Sequence, residues 1–252
     1  MSPKQLKTIV IKVGSSILTE KGGALSPNRL RAIVRQLVIL KKKGIRIVFV
    51  SSGAIASGIH SLGYKKRPQA MSELQACAAV GQPLLMEAYH KLFAQSKIKV
   101  AQILITRDDL EDRHRYLNVQ QTLAKLLEHG ILPIVNENDS VAVEEIKVGD
   151  NDNLAAHVAT LIMADLLVLL TDQDGFFTKD PNKDPQAKLI PLVQDIDKKT
   201  TCMAEGTRRS LTSVGGMQTK LQAAKRAGKQ GIPTLIANGL KRFSESIRAV
   251  PS

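Results

Sequence analysis

The chain has 252 residues, 43% of them hydrophobic and 23% charged, enough to bury a full core as one large α/β domain or two small ones. Its two cysteines, Cys77 and Cys202, lie far apart with no C-x-x-C, which excludes a disulfide scaffold and a thiolate zinc site as organising principles. The net charge is +13, from 36 Lys and Arg against 23 Asp and Glu, a balance that attracts anions without choosing among nucleic acid, membrane surfaces, phosphates and carboxylates.

The elements alternate along the chain. Leu6 to Gly14 is a buried strand, LKTIVIKVG, running into a turn. Ser26 and Pro27 open a helix, with Leu30, Ile33, Val34, Leu37 and Val38 at helical spacing. Lys41, Lys42 and Lys43 fill its last turn as a solvated terminus, and Gly44 ends it. Ile45 to Val50 is the next strand, and Ser51, Ser52 and Gly53 open a helix after it. Helix is predicted from about Met71 to Phe93, strand over Ile98 to Ile105, and helix over Tyr116 to Glu128. A short strand over Ile131 to Val135, a helix over Asn151 to Met163 and the most apolar strand, Asp165 to Thr171, follow. Asp180 to Gln186 is a surface loop, Gly215 to Ala227 a helix and Thr234 to Asn238 a last strand. Strands apolar on both faces that alternate with helices predict a three-layer αβα sandwich around a mainly parallel sheet. No linker and no internal repeat divides the chain, so one domain over residues 1–252 is expected.

Several classes drop out. Aromatic residues are 3% with no Trp, which leaves little to stack on bases, so no nucleic-acid partner is expected. The longest apolar stretch, Leu161 to Leu170, carries Asp165 and is too short for a bilayer, so no membrane association is expected. Lys12 breaks up any signal-peptide core, and free cysteines without a leader point to a reducing compartment, the cytoplasm. The five histidines show no metal-ligand spacing, and no protein metal site is expected.

In open parallel sheets, ligands bind beyond the carboxyl ends of the strands. At the first exit, KVGSS, Lys12 lies inside an apolar strand and needs an anion or a carboxylate beside it. At the second, VSSGAIASG, small residues lead into a helix N-terminus that offers free N–H groups. Neither a Walker motif, nor G-x-G-x-x-G, nor G-x-S-x-G is present there. The third exit carries Asn136, Glu137, Asn138 and Asp139, followed by Asp150, Asn151, Asp152 and Asn153, more amides and carboxylates than a helix cap needs. An EF-hand register fails because Leu154 stands where a ligand is required. At the fourth exit, Thr171 and Asp172 end the strand, and Gly175, Phe176 and Phe177 form a turn able to wall an adenine pocket. At the last, VGGMQTK places two glycines and Lys220 at a helix start. Two lysines, Gly-rich helix starts and an Asp/Asn cluster on successive exits point to phosphoryl transfer.

KVGSSILT, VSSGAIASG, TRDDLEDRHRYLN, VNENDSVAVEEIKVGDNDNLAA, LLTDQDGFFTKDP and GGMQTKLQAA resemble the amino-acid kinase superfamily and, within it, the glutamate 5-kinase family, over about Leu6 to Asn238. The resemblance implies the amino-acid kinase fold, with an acceptor site mainly in the N-terminal half and a nucleotide site mainly in the C-terminal half. It implies ATP and Mg²⁺, L-glutamate as phosphoryl acceptor in proline synthesis, proline as a feedback inhibitor, and a homo-oligomer, dimer or tetramer. Lys12 and Lys220 resemble the lysines that clamp the transferred phosphoryl group, and Asp152 the aspartate that orients them. Ser52, Asp139 and Asn151, with Asp150 close by, resemble the glutamate-binding positions. Lys12, Thr171, Asp172 and the run Val214, Gly215, Gly216, Met217, Gln218, Thr219 and Lys220 resemble the nucleotide site. Two departures stand out. The chain stops soon after the kinase-like segment, so the C-terminal PUA module of many bacterial members is expected to be absent. Ser213 and Val214 also stand where the family has Gly-Thr before Gly-Gly-Met. The competing readings are a superfamily member acting on acetylglutamate, aspartate, carbamate or a nucleoside monophosphate, and a basic nucleic-acid-binding protein without catalysis.

Overall fold

Six strands line up in one sheet in the order β3-β4-β2-β1-β5-β6, every neighbouring pair parallel. The computed structural model describes residues 6–20, 23–141, 151–205 and 216–247. The strands are β1 (Thr8–Val13), β2 (Arg46–Ser51), β3 (Val100–Ile105), β4 (Leu132–Glu137), β5 (Leu166–Thr171) and β6 (Thr234–Asn238). β2 and β1 lie at the centre with β5 beside β1, all three interior to the sheet, and every residue of β1 is buried. That is why these strands read as continuous apolar runs rather than alternating ones.

Helices cover both faces. Side chains of a strand alternate between faces. Ile9, Ile11 and Val13 of β1 therefore join one core, with α2 (Pro27–Lys42) and α4 (Met71–Ala94). Val10 points into the other, with α6 (Arg113–Glu128), α7 (Asn151–Leu161) and α9 (Met217–Gly228). Asp165, the acid in the most apolar segment, accepts the backbone N–H groups of Lys7 and Thr8 at 2.9 Å each and ties the start of β1 to β5.

The predicted strands and long helices are present. Among the described residues, the sequence pattern does not predict four short helices: α1 (Ser15–Leu18), α5 (Arg107–Glu111), α8 (Lys198–Glu205) and α10 (Phe243–Ser246). Ser26 is the N-cap residue of α2, but its hydroxyl donates to Glu20 Oε1 at 2.9 Å instead of capping the helix. Pro83 lies inside α4 without ending it. α3 (Ala54–Ser61) crosses α4 with backbone against backbone. A Cβ on Gly58 would sit 1.8 Å from the Cys77 carbonyl oxygen, and one on Gly81 1.8 Å from that of Ala54. Only glycine permits that approach.

In the turn expected to wall an adenine pocket, Phe177 is half-buried while Phe176 is taken up by the core. Phe176 is 5% exposed and packs with Ala204, Met217 and Leu221 in a small satellite core. The loop read as surface is mostly exposed, and together with α8 it lines a cleft of about 300 Å³ formed by Thr178, Lys179, Asp180, Lys183, Asp184, Cys202 and Met203.

Candidate active site

Lys12 has the same parity as Val10, so it points to the face of the sheet covered by α7 and α9. Asp152 lies in the first turn of α7 and Lys220 in the first turn of α9. The three meet. Lys12 Nζ is 2.6 Å from Asp152 Oδ1, and Lys220 Nζ donates to Asp152 Oδ2 at 3.0 Å. Thr219 Oγ1 also donates to Oδ2, at 2.7 Å. Lys12 is 4% exposed, Asp152 1% and Lys220 6%.

Burial alone pushes the Asp152 carboxyl up. The Lys12 and Lys220 charges, with hydrogen bonds from Lys12 and Thr219, override it and hold Asp152 well below the usual carboxylate range. Asp152 is therefore an anion at any physiological pH. Among these three side chains, two ammonium groups face one carboxylate, which leaves one positive charge in a nearly dry place. The α9 N-terminus adds to it, because Gly216 caps the helix with no side-chain hydrogen bond and its first N–H groups carry the positive end of the helix dipole. This arrangement is built to receive an anion such as a phosphoryl group.

Of the expected acceptor residues, the structure brings Ser52 and Asn151 together. Asn151 Nδ2 donates to Ser52 Oγ at 2.8 Å and to Asn136 Oδ1 at 3.0 Å. Ser52 follows β2, whose end pairs with β1 in register, Val13 opposite Ser51, and the Ser52 N–H donates to the Val13 carbonyl at 3.1 Å. The Ser52–Asn151 pair and the Lys12–Asp152–Lys220 cluster thus lie at adjacent strand ends. Asp139 follows β4 and is half-buried. Burial pushes its carboxyl up to about 6, and the Arg67 guanidinium nearby offsets part of that rise.

Thr171 and Asp172 sit at the carboxyl end of β5, with Thr171 Oγ1 donating to Asp172 Oδ1 at 3.4 Å. The Met217 side chain belongs to the satellite core, so its contribution to a nucleotide site falls to its backbone. Gly216 is exposed and Gln218 half-buried at the start of α9. Asp150, Val214 and Gly215 lie outside the described residues.

Sequence reasoning missed two participants, Gln82 and Arg67. Asn136 and Gln82 are buried amides hydrogen-bonded to each other at 3.0 Å. Asn136 stood in the polar run that drew attention, whereas Gln82 lies mid-helix with no pattern to mark it. Arg67 stands in the segment between α3 and α4, where nothing pointed to Asp139.

Among the described residues no group of three or more His, Cys, Asp or Glu could hold a metal ion. Asp152 already faces Lys12 with one oxygen and Lys220 and Thr219 with the other. The described side chains therefore do not fit a dedicated magnesium cage. No helix among the described residues is long and apolar enough to cross a membrane.

The family model "Amino acid kinase family" matches residues 7–238. A glutamate 5-kinase of Nitrosospira multiformis is 52% identical over 236 residues, covering 94% of this chain and 63% of that protein. One of Streptococcus suis is 50% identical, over 92% of this chain and 64% of that protein. One of Clostridium acetobutylicum is 50% identical over 242 residues, 96% of this chain and 90% of that protein. The chain thus spans under two thirds of several of its curated relatives and nearly all of another. A solved UMP kinase of Bacillus anthracis superposes with a TM-score of 0.62 at 16% identity, over 98% of this chain and 94% of that one. That likeness concerns the fold.

Proposed function

The chain belongs to the amino acid kinase family, and on that footing we propose that it transfers the γ-phosphoryl group of ATP to the γ-carboxylate of L-glutamate. The observation that carries this reading is the buried Lys12–Asp152–Lys220 cluster, two ammonium groups against one carboxylate, set beside the hydrogen-bonded pair of Ser52 and Asn151. The names of the relatives select glutamate as the acceptor.

The chemistry asks little of the protein in the way of proton transfer. A γ-carboxylate has a pKa near ~4.3 and is already an anion at neutral pH. One of its oxygens bonds to the γ-phosphorus as the bond from that phosphorus to the bridging oxygen breaks, and the electron pair leaves with ADP. No general base is needed, and Asp152, held as an anion against two ammonium groups, is unsuited to be one. The barrier is the approach of one anion to a polyanion. Lys12, Lys220 and the N–H groups of α9 offset that repulsion, and they act most strongly on the charge that develops in transfer. Asp152 and Thr219 hold the lysines in place. Ser52, Asn151 and Asp139 would hold the amino acid, with the Asp139 carboxylate facing the α-ammonium. The N-terminal half then supplies mainly acceptor contacts and the C-terminal half mainly nucleotide contacts.

ADP release measured with a panel of acceptors tests the reading. We expect turnover with L-glutamate and far less with N-acetylglutamate, aspartate, carbamate or UMP. Preferential turnover of any of those four would replace glutamate as the acceptor, and tight, salt-sensitive RNA binding without turnover would replace the kinase reading. We further propose that proline raises the glutamate concentration needed for half-maximal rate. A rate at low glutamate that is indifferent to saturating proline refutes this.

A further inference from the structure

A series of side-chain amides runs from the acceptor residues to the protein surface. Gln102, exposed on β3, accepts at Oε1 from Gln82 Nε2 on α4, at 2.9 Å. Gln82 Oε1 accepts from Asn136 Nδ2 on β4, at 3.0 Å. Asn136 Oδ1 accepts from Asn151 Nδ2, which also donates to Ser52 Oγ. Gln82, Asn136 and Asn151 are 8%, 2% and 8% exposed.

A primary amide donates at one end and accepts at the other. In a buried series each member therefore dictates the orientation of the next, since turning one by half a turn sets two donors or two acceptors face to face. The series ends at Asn151. Its Nδ2 serves two acceptors, and its carbonyl oxygen Oδ1 is buried with no hydrogen-bond partner. A buried carbonyl of this kind calls for a donor. Ser52 Oγ, accepting from Asn151, keeps its own hydrogen to donate.

We propose that Gln82 is a positioning residue that sets the polarity of the acceptor pocket. By accepting from Asn136 it keeps the Asn136 oxygen turned toward Asn151, which leaves Asn151 Oδ1 for the α-ammonium of the amino acid. Without that acceptor, Asn136 is free to turn and present Nδ2 to Asn151. Asn151 then turns in its own place and meets the ammonium with a donor. Gln82 thus governs selection for an amine-bearing acceptor without touching it. This rests on glutamate as the acceptor.

The test compares Gln82→Met, which keeps the volume and removes the acceptor, with Gln82→Glu, which keeps an acceptor toward Asn136 while exposed Gln102 can turn to donate. We expect Gln82→Met to raise the glutamate KM roughly tenfold, the scale of one lost buried hydrogen bond, with the KM for ATP unchanged. Gln82→Glu should restore most of the affinity. Inhibition by glutarate, which has the two carboxylates and no amine, should change less than about twofold in Gln82→Met. Equal weakening of glutamate and glutarate, or an unchanged glutamate KM, overturns the positioning role. Absence of glutamate turnover in the unmodified protein overturns the acceptor reading itself, which separates the two failures. Should Gln82→Met not fold, Gln82→Glu still decides: a glutamate KM raised alongside an equally weakened glutarate argues against a role specific to the amine.

Discussion

Replacing Lys12 by Met and replacing Asp152 by Asn should affect stability differently while damaging catalysis alike. The reason is the charge count of the cluster. Lys12 and Lys220 are 4% and 6% exposed, and one carboxylate, 1% exposed, stands between them at 2.6 and 3.0 Å. Asp152→Asn leaves two buried ammonium groups without their carboxylate, and removing the partner of a buried charge costs about 3–5 kcal/mol. For a chain of this size that is a fall in Tm on the order of 10 °C. Lys12→Met leaves Lys220 and Asp152 as a balanced pair and fills the space with an apolar side chain, so its stability should stay within about 1 kcal/mol of the parent. Both variants should lose transition-state stabilisation comparable to one oxyanion-hole donor, about 3–4 kcal/mol or roughly 10²–10³ in kcat, with the glutamate KM nearly unchanged. Thermal and urea unfolding give the first quantity, and steady-state kinetics the second. If Lys12→Met destabilises as much as Asp152→Asn, the surplus charge is balanced within the resting protein and is not held ready for an anion. A Lys12→Met enzyme with near-normal kcat refutes the catalytic assignment altogether.

Thr219→Val removes the 2.7 Å hydrogen bond to Asp152 Oδ2 and should lower kcat about 10- to 100-fold, the worth of a bond to a buried charge, with little change in glutamate KM. The Asp139 carboxyl, pushed up to about 6 by burial, should protonate as the pH falls through that value and lose its attraction for the substrate ammonium. The glutamate KM should therefore rise about fourfold between about pH 7.5 and 5.5, and Asp139→Asn should abolish that dependence while raising the KM throughout. Gly81→Ala places a Cβ 1.8 Å from the Ala54 carbonyl oxygen, a backbone atom that cannot yield without separating α3 from α4. It should destabilise by about 1–3 kcal/mol or more and weaken glutamate binding through Ser52, at the approach to α3, as read by unfolding midpoints and KM.

Much of the fold was legible because its signals were local. β1 and β5 read as strands because central strands of a parallel sheet are apolar on both faces, and Lys12 stood out as an ammonium in such a run. Short helices were harder. α5 carries a capping box, Thr106 with Asp109, whose spacing is visible in the sequence, while α8 and α10 have no comparable mark. Of the site, each half of the Lys–Asp–Lys cluster was legible at its own strand exit, but the meeting of Asp152 with Lys12 depends on β1 lying under the start of α7, which residue order does not reveal. The amide series was illegible for the same reason. Gln82, Asn136 and Gln102 come from three elements, and a glutamine on a helix gives no sign that a buried asparagine 54 residues later will donate to it. Phe176 misled because an aromatic after a glycine fits a ligand wall and a core equally well, and packing against Met217 and Leu221 decided for the core.

The most direct measurement of the central claim is acyl phosphate trapping. With ATP, magnesium, L-glutamate and hydroxylamine, the protein should form γ-glutamyl hydroxamate in step with ADP. Lys220→Met, which removes one of the two ammonium groups on Asp152, should lower that rate by roughly 10²–10³ without raising the glutamate KM. Hydroxamate formed at the α-carboxylate, ADP released without hydroxamate, or a Lys220→Met rate close to that of the parent would contradict the account.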